Sequence, residues 1–194
     1  MGRIRALFGA ALLMSLTLAG GSAALAKASV HPKVTKVAAK AAKGKAAAKV
    51  SASTAKANTY AHFLSVNAKA HKATFVLVAS YNNAGGGFNF DGGVNGHPVL
   101  RVPVGWTLTV AFRNAGSIPH SAAVVAGTST KPAYPGATTP NPIHGTPPRG
   151  HASFTFRVTH AGTYRIACLV PGHEDAGMWM TFIATKGGVP TITP

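Results

Sequence analysis

Downstream of residue 73 the chain is built from short apolar stretches separated by glycine and proline. Thr74-Phe75-Val76-Leu77-Val78 reads as a continuous apolar run, the pattern of a strand covered on both faces. Residues 98–104 form a second run, closed by Gly105. In residues 106–113 the pattern alternates, with Leu108, Val110 and Phe112 on one face and Thr107, Thr109 and Arg113 on the other. Residues 120–125 make another candidate strand. Phe154, Phe156 and Val158 then alternate against Ser153, Thr155 and Arg157. Residues 163–168 and 178–184 are two further strands around a short loop. Residues 128–149 are rich in proline, glycine and threonine and predict one long surface loop. No amphipathic helix separates these strands and no internal repeat appears. The pattern predicts an all-β fold, an antiparallel sandwich or barrel.

The amino-terminal part has a different composition. Arg3 and Arg5 precede an apolar stretch at residues 6–19, and Ala24-Leu25-Ala26 follows as an A-x-A cleavage signal. The apolar stretch is short of the ~18 residues expected of a spanning helix. Residues 1–26 are therefore expected to be a signal peptide, with a retained membrane anchor as the alternative, and the domain to work outside the cytoplasm, in the periplasm or secreted. Residues 27–57 are an alanine- and lysine-rich linker without acids, expected to be disordered or transiently helical. Contact with an anionic membrane surface is its functional reading, a solvated spacer its plain one. The remaining domain is expected to span 58–194.

Charge alone would suggest a nucleic-acid partner, since the 194 residues carry a formal +16. Its distribution argues against that. From residue 58 onward there are nine basic and three acidic side chains, a formal +6. The three acids, Asp91, Glu174 and Asp175, leave little to lose on protonation, which suggests an acidic extracytoplasmic habitat.

The candidate chemistry lies in the loop between the last two strands. Cys168, the sole cysteine, is followed by His173 and Met178 in the spacing C-x4-H-x4-M. Thiolate, imidazole and thioether together suit copper cycling between Cu(I) and Cu(II). Alternation puts Tyr164, Ile166 and Cys168 on the inner face, with Thr163, Arg165 and Ala167 outside. A second imidazole is needed, and His120, in Ser117-Ile118-Pro119-His120-Ser121, is the natural donor. A His2Cys plane with a long axial methionine is the electron-transfer pattern. Structural zinc calls for more cysteine and histidine than one loop offers. A nucleophilic cysteine would need a cleft and an orienting group that the sequence does not show. His62, His71, His97, His144, His151 and His160 are assigned to surface or loop positions, and Met180 to the core or rim.

Several blocks resemble the sulfocyanins, cupredoxins related to rusticyanin. They are Phe88-Asn89-Phe90-Asp91-Gly92, Val102-Pro103-Val104-Gly105-Trp106, Ile118-Pro119-His120-Ser121 and the loop from Val170 to Trp179, in family order. The resemblance implies a cupredoxin-like Greek-key β-sandwich holding one type 1 copper through His120, Cys168, His173 and Met178. It implies that Ser121 ties the two ligand loops together. It also implies that the edge of His173 is exposed within an apolar patch, for which Leu169, Val170, Pro171, Ala176 and Trp179 are the candidates. The expected function is blue-copper electron transfer between redox partner proteins such as cytochromes or a terminal oxidase. Neither enzymatic activity, a small-molecule substrate nor nucleic acid is expected. The alternatives are an electron-relay component of a copper oxidase or reductase, or a copper-binding transport protein.

Overall fold

The computed structural model describes residues 58–194. The expected signal segment at 1–26 and the linker at 27–57 lie outside the described residues. Among the described residues nine strands follow one another: β1 (Leu64–Asn67), β2 (Lys72–Ala79), β3 (Gly96–Pro103), β4 (Thr107–Asn114), β5 (Ala123–Val125), β6 (His151–Arg157), β7 (Gly162–Ala167), β8 (Trp179–Thr185) and β9 (Thr191–Thr193). They form two sheets, ordered β1-β2-β4-β6 and β5-β7-β8-β3-β9. The strand pattern of the sequence therefore yields an all-β sandwich.

Alternation explains the strands best where it is cleanest. Leu108, Val110 and Phe112 of β4 are buried opposite Phe156, Phe154 and Ala152 of β6. On the second sheet Tyr164 and Ile166 of β7 pair with Phe182 and Met180 of β8. The sheets meet through aromatic rings, with Phe156 and Phe182 6.0 Å apart edge to face. Truncating such a core ring to alanine costs ~3–5 kcal/mol.

Three expectations need correction. The sheets are mixed, because β2 pairs parallel with β4 and β3 parallel with β8. The chain crosses to the other sheet between β2 and β4, so neighbours within a sheet are not consecutive and can run the same way. Strand β2 is not covered on both faces throughout: Thr74 and Val76 are exposed, and only its Leu77-Val78-Ala79 end is fully enclosed. Residues 128–149 contain no regular strand yet are not simply a surface loop. Tyr134, Ala137, Thr139 and Thr146 are buried there, and Tyr134 stacks on Phe156 at 5.3 Å. The buried Tyr134 hydroxyl donates to the His160 carbonyl at 2.9 Å, which satisfies its polar end.

Candidate metal centre

The topology brings the candidate residues to one end of the sandwich. Cys168 follows β7 directly and Met178 directly precedes β8, whose facing ends pair Ala167 with Trp179. Ala123 of β5 lies opposite the same Ala167, so the segment leading into β5 delivers His120 to that end. The Cys168 thiol and both imidazoles are buried, and the ligand atoms of the three residues lie within 4.8 Å of one another. Cys168 Sγ is 3.4 Å from His173 Nδ1 and 4.0 Å from His120 Nδ1. The two Nδ1 atoms are 3.1 Å apart. Met178 is fully buried beside them in sequence, its N–H bonded to the His173 carbonyl at 3.0 Å.

Backbone bonds make the ligand loop compact. The Cys168 N–H donates to the Met178 carbonyl at 3.1 Å and closes its base. Within it, His173 N–H reaches the Val170 carbonyl and Gly177 N–H the Glu174 carbonyl. Gly177 has φ +92°, and a Cβ there would meet Asn95 Oδ1 at 2.8 Å, so glycine is required on both counts. From outside, Arg165 donates to Glu174 Oε1 at 2.7 Å while its guanidinium lies 4.0 Å over the Trp179 ring. This clips the loop to the sheet.

His120 is held from the other side. Its N–H and carbonyl both pair with Thr146, at 3.1 and 2.7 Å, which anchors it to the long irregular segment. The turn before it is organised by Asn114. That buried amide donates to the carbonyls of Ile118, Thr146 and Pro147 and accepts the Gly116 N–H. Ser121 joins the halves as the resemblance implied. Its N–H points at Cys168 Sγ, 3.3 Å away, and its hydroxyl accepts the Leu169 N–H at 2.9 Å. Phe88 closes the centre, its ring edge-on to His173 at 4.9 Å and to His120 at 6.2 Å.

Burial holds the donor groups of the centre in their uncharged forms. Burial lowers the His120 pKa to about 4, with the neighbouring His173 adding to the effect. Burial lowers His173 as well. Both rings are thus neutral bases above mildly acidic pH, the form that binds a metal. Burial pushes the Cys168 thiol up, so its deprotonation needs an added positive charge. Two neutral imidazoles aiming Nδ1 at a common sulfur, inside a dry pocket, fit a soft or borderline metal.

Some expected positions differ. The His173 residue is largely buried, with 9% of it accessible, and the Phe88 ring lies against it at 4.9 Å. Leu169 is buried with Ala123, Val125 and Ala167, and Trp179 packs against that small cluster. Ala167 is therefore covered too, although alternation had set it outside. Of the expected patch, Pro171 and Ala176 are exposed and Val170 is half-buried. His62, His71, His97, His144, His151 and His160 are all exposed, and Met180 is fully buried. The supporting roles of Ser80, Asn114 and Thr146 carry no recognisable motif. Phe88 lay within a motif whose contacts the sequence could not show.

A mixed β-sandwich with a buried His-Cys-His cluster at one end defines a cupredoxin. Residues 60–143 and 133–192 match the family model described as the Sulfocyanin (SoxE) domain. The chain belongs to the sulfocyanin family, whose cofactor is one type 1 copper. The sulfocyanin of Sulfolobus acidocaldarius is 29% identical over 134 residues, spanning 61% of this chain and 67% of the relative. Auracyanin A, a "blue" copper protein of Chloroflexus aurantiacus, is similar with a TM-score of 0.43 and 20% identity, over 59% of this chain and 99% of that one. Rusticyanin is similar with a TM-score of 0.40 and 24% identity, over 63% of this chain and 87% of that one.

Proposed function

We propose that the protein is a one-electron carrier whose copper is held by His120, Cys168, His173 and Met178. It would work outside the cytoplasm between redox proteins of a respiratory chain, with a cytochrome or terminal oxidase as partner. The observation that carries this reading is the convergence of His120 Nδ1, His173 Nδ1 and Cys168 Sγ within 4.8 Å. Met178 supplies the thioether from the strand end that closes the loop. Bound copper supplies a one-electron Cu(II)/Cu(I) couple.

The protein's own task is to keep that site unchanged between oxidation states. The two imidazoles come from segments fixed by separate hydrogen-bond sets, Asn114 and Thr146 for His120 and the Cys168–Met178 closure for His173. The Ser121 N–H directed at Sγ stabilises negative charge on the thiolate. Buried surroundings exclude water and exchangeable ligands. A buried cluster held by fixed hydrogen bonds suits electron carriage. Ahead of the domain, residues 1–26 act as the export signal or anchor and residues 27–57 as a basic tether to an anionic membrane surface.

The test is the optical spectrum of the oxidised, copper-loaded protein beside that of Cys168→Ser. Intense visible absorption lost in the variant is the expected result, because the band arises from thiolate-to-copper charge transfer. A colourless wild type that takes zinc as readily as copper would overturn the reading.

A further inference from the structure

The outer nitrogen of His120 does not end in solvent or at a backbone carbonyl. Nε2 lies 2.9 Å from Ser80 Oγ, and Ser80 Oγ lies 2.7 Å from the Gly87 carbonyl oxygen. A carbonyl only accepts, so the serine hydroxyl spends its single proton on Gly87. The contact to His120 must then run the other way, with Nε2–H donating to Ser80. A neutral imidazole carries one ring proton. With that proton on Nε2, Nδ1 keeps its lone pair and faces Cys168 and His173.

Several features exist to seat this chain of bonds. Ser80 sits just past β2 with φ +53°, a left-handed conformation that costs a non-glycine residue about 1 kcal/mol or more. Gly116 passes so close that a Cβ would meet Ser80 Oγ at 2.7 Å and His120 Nε2 at 3.2 Å. Gly87 presents its carbonyl from a backbone at φ +94°, again outside the range most side chains adopt. Three strained or space-restricted positions, distant in sequence, thus converge on one hydroxyl. The same serine lines a cleft of about 440 Å³ with Phe88, Ser117, Ile118 and Arg149. His120 itself reaches the wall of that cleft beside Ser80.

We propose that Ser80 is the positioning residue of the centre, relaying His120 to the Gly87 carbonyl and so fixing the one tautomer and ring orientation that present Nδ1 to the metal. The hydroxyl does not touch the metal and acts only through the imidazole. The metal assignment rests on the function proposed above, but the tautomer follows from the protein's own hydrogen bonds and can be read without copper.

The experiment is nitrogen-15 NMR of the histidine rings in the full-length, metal-free protein at neutral pH, on wild type and Ser80→Gly. Glycine removes the hydroxyl and also relieves the left-handed backbone. In wild type, His120 should be a single Nε2–H tautomer whose Nε2 proton exchanges slowly with water. In Ser80→Gly the ring should show mixed tautomers and fast exchange. Copper(I) release to a chelator should quicken by roughly 10-fold, the lower end of what loss of such a partner costs a metal site. A wild-type His120 protonated on Nδ1 would overturn the relay outright. An unchanged tautomer and release rate in Ser80→Gly would reduce Ser80 to a backbone role. A normal tautomer in a protein that never turns blue would instead fault the copper reading and leave the relay intact.

Discussion

Asp91 holds a carboxyl group where the fold offers it only half a set of partners. Oδ1 accepts the Val78 N–H at 2.8 Å, and the Asp91 N–H returns a bond to the Val78 carbonyl. The side chain thereby caps β2 beyond the end of β1, as a neighbouring strand would. Oδ2 is buried and has no partner. Burial raises the pKa from 3.8 to about 8, with the Val78 bond opposing the shift. A folded pKa above the unfolded one means a contribution fully present below pH 3.8 and lost as pH rises through about 8. His120 works in the opposite sense in the metal-free protein. Its pKa falls from 6.5 to about 4, so its contribution is lost as pH drops through that window. The two effects oppose each other below pH 6.5, and Asp91 stands clear of His120 between there and about 8. Thermal unfolding of the metal-free protein should therefore show stability falling with pH across that upper window, by an amount on the order of 1 kcal/mol or more. Asp91→Asn should flatten the slope. An equal slope in the variant would place its cause elsewhere.

At the scale of elements, the ligand loop and the turn before His120 are stiffened by groups that touch no metal. The Asn114 amide shares its two protons among the carbonyls of Ile118, Thr146 and Pro147, so Asn114→Ala should destabilise the fold by about 2–3 kcal/mol. The same variant should bleach faster on chelator titration, since the turn it frees leads into His120. The Arg165 clip is a lesser case, because an ion pair 29% and 19% exposed is partly screened. Arg165→Ala should cost about 1 kcal/mol, counting the lost stacking on Trp179, and the loss should shrink in high salt. Strands β4, β6 and β8 were legible because one face is buried more deeply than the other, which writes period two into the sequence. Strand β1 was not: its residues are half-buried or exposed and leave no alternation. The loop that carries Cys168 and His173 was legible because three unusual donor types stand at short regular spacing. Its supports were not, because Ser80, Asn114 and Thr146 act through contacts with residues 7 to 40 positions away, at which an isolated serine, asparagine or threonine looks like loop chemistry. Asn89 illustrates the same limit. It lies in the motif Phe88-Asn89-Phe90-Asp91-Gly92, and only the fold shows it donating to Asn82 and Ala84 and accepting from Tyr81 and Gly92. Those bonds hold the segment that seats Phe88 against the imidazoles.

For the molecule as a whole, charge separates two jobs that the sequence mixes. Ten of the basic side chains and none of the acids precede residue 58, so most of the +16 belongs to the amino-terminal segment. Each Lys or Arg near an anionic bilayer is worth about 1 kcal/mol, a term that falls off within a Debye length. The full chain should accordingly sediment with vesicles containing acidic lipids and be released by salt. The segment 58–194 should remain largely free and yet keep the visible spectrum of the full chain. Retention of the shorter chain on those vesicles would move the membrane contact onto the domain itself. The remaining +6 on the domain bears on the partner instead. Of its three acids, Asp91 is buried and Glu174 is paired with Arg165, which leaves Asp175 exposed against several free basic groups. A partner with an acidic docking face would be drawn in by this field, and the attraction acts on the rate of encounter more than on the strength of the complex. Stopped-flow oxidation by an acidic redox protein should slow steeply as ionic strength rises, while a basic partner should show the reverse trend. A rate indifferent to salt with both would mean that the domain's charge does not steer encounter and serves solubility alone.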